Sequence, residues 1–158
     1  MKKLLILLLI FGLSNVYAES GKYSTTAVCD INKTEIDTNN KTIMSIYFDC
    51  ISTVIKSDND LFKVGENAFV EVIANIQKSS KGMDLQSFNT STSSTNSDDK
   101  IFSENIRKAG DVKKGGAGTS KTVGGTGKYT GITGECEYTV NYLPKNKVST
   151  IFDCSYTK

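Results

Sequence analysis

The chemistry open to this chain is limited first by the side chains it has. It contains no histidine, which removes Ser-His-Asp and Cys-His catalysis and the histidine-containing zinc sites. Carboxylates are then the acid–base groups at hand, and Glu104 is the candidate catalytic residue. It stands between Phe102 and Ile106 at alternate positions. A carboxyl group that shares an apolar interior with such neighbours works as a general acid or base near neutral pH. With the strand turned by one residue, Glu104 is an ordinary solvated carboxylate, the commoner fate of a lone charge. Glu71, Glu135 and Glu137 fall on polar strand faces and read as surface. Two runs imitate phosphate loops and fail. In Gly115 to Thr122, Ser120 occupies the place of the glycine before Lys121, and in Gly124 to Tyr129 an aromatic residue replaces the required Ser or Thr. The cysteines, Cys29, Cys50, Cys136 and Cys154, lack the close C-x₂₋₄-C spacing of a zinc site. No metal and no cofactor is implied.

The elements that must position these residues are strands. From Ile132 the even positions are Ile132, Gly134, Cys136, Tyr138, Val140 and Tyr142, while the odd ones are Thr or Glu up to Asn141. That is the period of a half-buried strand. After a turn at Pro144-Lys145-Asn146 comes a second strand, and the register that sets Cys136 against Cys154 also pairs Tyr138 with Phe152 and Tyr142 with Val148. A slip of one residue would turn the apolar set to the wrong face. A hairpin centred on Asn39-Asn40 likewise opposes Cys29 and Cys50, and asparagine tolerates the positive φ of a type I′ turn. Four cysteines allow three connectivities. The register favours Cys29–Cys50 and Cys136–Cys154. A bridge such as Cys29–Cys154 is the alternative if the first and last strands are neighbours.

Eight strands are expected: Tyr23 to Asp37, Thr42 to Lys56, Ala68 to Gln77, Met83 to Thr90, Lys100 to Lys108, Gly118 to Val123, Gly131 to Leu143 and Val148 to Tyr156. Thr90 to Asp99, rich in Ser, Thr, Asn and Asp, reads as a ten-residue loop. The third and fifth segments could instead be helical; alternation at Ala68, Val70, Val72, Ala74 and Ile76 favours strand for the third. The chain is thus all-β, an eight-stranded antiparallel up-and-down barrel with two disulfides.

Within this pattern the run GGTGKYTGITG, preceded by the glycines of Gly115 to Gly118, resembles the signature of bacterial proteins of the allene oxide cyclase and dirigent-type barrel group. The resemblance covers about Lys100 to Tyr142 and implies a calycin-like barrel, which also favours strand for the fifth segment. Plant members of that group include a cyclising isomerase and proteins that steer radical coupling. It maps no catalytic residue onto this chain.

The first eighteen residues have the form of a secretory leader: Lys2-Lys3, an apolar core from Leu4 to Leu13, and Val16-Tyr17-Ala18 before a cleavage point. The core is too short for a comfortable membrane span. Residues 1–18 are therefore expected to be removed, leaving 19–158 as one domain, exported to a periplasmic or extracellular space where disulfides persist. Of nineteen basic residues, Lys2 and Lys3 leave with the leader, so seventeen face seventeen acidic ones. The near-zero balance, the single arginine Arg107 and the lack of Lys/Arg clusters exclude a nucleic-acid binder. Phe48, Phe69, Phe102, Tyr138, Tyr142 and Phe152 are the candidate ligand-lining residues. In an eight-stranded barrel such residues either fill the interior, the commoner outcome, or line a pocket for one small ligand. Three functions follow: an exported barrel that binds a small apolar ligand or serves as a stable envelope protein, without catalysis; a cofactor-free isomerase or cyclase using Glu104; and a dirigent-like homo-oligomer.

Overall fold

Period-two alternation runs along the chain with few interruptions, and the backbone converts it into one closed sheet. The structure is a computed structural model and describes residues 18–80, 82–111 and 115–158. The expected leader, apart from Ala18, lies outside the described residues. Eight antiparallel strands close a barrel in chain order: β1 (Ser20–Asp37), β2 (Thr42–Ser57), β3 (Asn67–Ser79), β4 (Gly82–Ser94), β5 (Lys100–Asp111), β6 (Gly115–Gly125), β7 (Thr133–Leu143) and β8 (Lys147–Thr157). β8 returns to β1 with Ser20 opposite Thr157 and Asp30 opposite Lys147. Closure leaves no free first or last edge strand.

The two ambiguous segments are both strands. In each, one face is needed to complete the barrel interior, and a helix could not pair with both neighbours. β4 runs to Ser94, so the expected ten-residue loop shrinks to Thr95–Asp99. Polar composition there reflects the interior wall it supplies: Thr90, Thr92 and Ser94 face inward.

Both local disulfides are formed, Cys29–Cys50 and Cys136–Cys154, with Cα atoms 3.9 and 4.0 Å apart. The cross-barrel alternative fails although β1 and β8 are neighbours, because Cys154 lies opposite Tyr23 and Cys29 opposite Val148. The first hairpin has the expected register, with Asp37 opposite Thr42, but not the expected turn. Among the described non-glycine residues, positive φ occurs at Lys145 and Asn146 in the β7–β8 turn and not at Asn39 or Asn40. The β1–β2 turn is held instead by Thr38, whose amide donates to the Lys41 carbonyl at 2.8 Å and whose hydroxyl does so at 2.7 Å.

The interior is built in two clusters. One surrounds the disulfide Cys29–Cys50 with Ala27, Tyr138, Val140 and Val148. The other, at the opposite end, gathers Val54, Phe62, Ile101, Tyr129, Ile132 and Tyr156. The ladder between β4 and β5 is short, from Asn89 opposite Glu104 to Ser93 opposite Lys100. Below it the two strands diverge, and the Asn105 side-chain amide takes over, donating to Thr90 Oγ1 at 2.6 Å and to the Phe88 carbonyl at 3.3 Å.

Candidate functional site: the barrel cavity

The glycine-rich turn explains why one end of the barrel is shut. Gly127 adopts φ +55 and begins a single 3₁₀ turn, Gly127–Tyr129. A side chain there would collide with the Asp99 carboxylate, so the position combines a positive φ with a close approach that only glycine meets. The turn drives Tyr129 into the barrel end. Phe62 enters from the β2–β3 connection, where Asn59 Oδ1 accepts from the Leu61 and Phe62 amides at 3.1 and 3.4 Å. Phe62 stacks on Tyr23 at 3.7 Å between ring centroids, packs on Tyr129 at 5.5 Å and meets the edge of Tyr156 at 5.2 Å. The Lys128–Glu66 ion pair, at 2.9 Å, ties the two connections together over this plug.

Above the plug the barrel is hollow. The filled interior expected as the commoner outcome is not what the side chains produce: a cavity of about 390 Å³ runs along the axis. That is within the range of small-molecule sites. The space arises because β3, β4 and β6 contribute modest side chains, among them Ala74, Thr90, Thr92 and Ser120, opposite the aromatic wall.

The residues expected to line a ligand divide into two groups. Phe48, Tyr138, Tyr142 and Phe152 face the cavity. Phe69 and Phe102 do not: they are 55 % and 38 % exposed on the outer wall. Phe69 alternates out of phase with Val70 and Val72, which do point inward, and its backbone partner is Ile51, itself opposite Val28 on the same outer row. Phe102 shares its face with Glu104 and Ile106, all exposed. Glu104 is therefore the solvated carboxylate of the two alternatives. The strand is turned so that Ile101, Ser103, Asn105 and Arg107 face in.

Sequence reasoning missed the plug and one charge. Phe62 and Leu61 sit in a polar connector, where two adjacent apolar residues are the signal for a segment that folds back over a core. Arg107 lines the cavity, and the signal for it was its even spacing from Ile101. Beside it lies Tyr138, whose ring crosses β6 at Gly118. A side chain at Gly118 would strike the Tyr138 phenol and the Ile106 carbonyl. The Tyr138 hydroxyl reaches that same carbonyl at 3.2 Å. Burial raises the Tyr138 pKa, while the Arg107 charge pulls it down.

Phenols at the plugged end give the fold a pH limit. Burial, first, and the neighbouring Tyr129 and Tyr156 hydroxyls push Tyr23 well above its ordinary value. Tyr156 is pushed up to about 12, by burial foremost and then by the Glu19 carboxylate that its hydroxyl meets at 3.2 Å. The unfolded chain loses its phenolic protons near pH 10, before the folded one does. Stability is thus intact below about pH 10 and declines as the pH rises towards about 12. An absorbance titration should show buried phenols ionising late and together with loss of near-ultraviolet circular dichroism. Ionisation of every tyrosine near pH 10 with the fold intact would contradict the packing.

Compared with known proteins, the chain matches no family model, no curated protein and no solved structure.

Proposed function

We propose that this is an exported barrel protein that binds a small, largely apolar ligand in its interior, without catalysis. The observation that carries the reading is the 390 Å³ cavity walled by Phe48, Val70, Val72, Val140, Val148 and Phe152. An apolar space of this size is costly to leave unfilled, because its lining forgoes dispersion contacts. The likeness of GGTGKYTGITG to allene oxide cyclase and dirigent-type barrels fits the reading. So does the location of both disulfides in the cavity wall, since bridged cysteines suit an oxidising compartment. Among the described residues no helix is long and apolar enough to cross a membrane. The charged residues Asp49, Glu71, Glu135 and Glu137 are exposed on the outer wall. The interior is walled mainly by apolar side chains, whereas the lumen of a membrane barrel is polar.

The catalytic alternative named Glu104, which faces solvent. Among the described residues, the carboxylate that does reach the cavity wall is Glu66, and it is held by Lys128. Binding is tested by native mass spectrometry of protein recovered from its own host and by a thermal-shift screen of host extracts. A retained small molecule is expected. Filling the cavity by Val72→Phe should abolish that retention while leaving the circular dichroism unchanged. No bound molecule and no thermal shift would sink the reading.

A further inference from the structure

The cavity wall is not uniformly apolar. β4, β5 and β6 present Thr90, Thr92, Ser103, Ser120 and one cation, Arg107, opposite an aromatic and aliphatic wall. The Arg107 guanidinium hydrogen-bonds the Tyr138 side chain, but its Nη2 is buried and has no hydrogen-bond partner. Among the described residues, the ion pairs are Lys33–Glu35, Lys128–Glu66 and Lys147–Asp30, and none involves Arg107. Its strand position adds to this. Arg107 lies beyond the end of the β4–β5 ladder, so it has no backbone partner on β4, and its partner on β6 is Gly118, which fills no space. Two residues earlier on the same inward face, Asn105 is buried, and its Oδ1 also lacks a partner while its amide nitrogen is fully engaged. An unpaired guanidinium donor in an apolar cavity is expensive, and a planar carboxylate is the group its geometry fits best.

Resting on the reading that the cavity takes an apolar ligand, we infer that the ligand is an apolar acid. Its carboxylate is held by Arg107 and its hydrocarbon lies against Phe48, Val72, Val140 and Phe152. The polar wall orients the molecule, and the opposite wall supplies the area that drives binding.

Decanoate, 1-decanol and decylamine separate the possibilities, each titrated calorimetrically into the mature protein. Decanoate should bind about tenfold or more tighter than decanol, the ratio expected of one charge-assisted hydrogen bond, and decylamine should bind weakest. Arg107→Gln should erase the preference for decanoate over decanol, and Arg107→Lys should keep part of it. Equal affinity of the unaltered protein for decanoate and decanol would overturn the acid assignment and leave apolar binding standing. Failure of all three probes to bind would overturn both. The probe comparison on the unaltered protein decides the matter even if an Arg107 variant does not fold.

Discussion

Phe62→Ala is expected to destabilise the barrel by about 3–5 kcal/mol, the usual range for removing a buried phenyl ring. Phe62 is almost fully buried, and three aromatic rings, Tyr23, Tyr129 and Tyr156, converge on it. Two of the three, Tyr156 and Tyr129, cannot collapse into the vacated space without giving up other anchors. Tyr156 is held through its hydroxyl to Glu19, and Tyr129 by a turn whose amides and carbonyls are already paired: Thr130 donates to Gly127 and Ile132 donates to Tyr129, both at 3.1 Å. Against a domain stability of about 5–15 kcal/mol, the loss is large. Equilibrium urea unfolding should show a lower midpoint with unchanged slope. The alanine should also open the closed end, so tyrosine fluorescence should become accessible to an aqueous quencher before unfolding. A midpoint within experimental error of the parent would mean that the plug does not pack as described.

Losing a disulfide should cost about as much. Cys136→Ser with Cys154→Ser is expected to remove about 3 kcal/mol, as for a closed loop of comparable length. The two bridges should behave alike, since the closed loops are similar: sequence separations are 21 for Cys29–Cys50 and 18 for Cys136–Cys154. All four cysteines are buried in the barrel wall, so a mild reductant should fail to release thiols from the native protein and succeed once urea opens it. Free-thiol counting along a denaturation curve reads this directly. Thiols appearing at full rate without denaturant would show that the bridges lie outside the packed wall.

The turned-out residues show how alternation can be read correctly and still be assigned to the wrong face. Along β7 and β8 the cysteine pairing pins the phase, and Tyr138, Tyr142 and Phe152 fall inside as read. Along β5 nothing comparable pins it. Phe102 and Ile106 are apolar and Ser103, Asn105 and Arg107 are polar, so hydrophobicity points to the wrong face. Burial on this strand is instead set by its neighbours, through the pairing of Ser103 with Thr122 and of Asn105 with Ser120 on β6. Phe69 is the milder case. Its phase was clear from Val70 and Val72, and the aromatic ring alone suggested the interior.

Local sequence determined the number and order of the strands, the registers of the two cysteine hairpins and both sulfur bridges, because each depends on a period of two and a turn a few residues away. Whether eight strands would enclose a hollow or a filled tube was decided only when side chains from strands far apart in the chain met across the axis. The same assembly brought Phe62 against Tyr129 and left Arg107 on the cavity wall with no ion-pair partner among the described residues. No neighbour in sequence specifies those contacts; they follow from the closure of β8 onto β1.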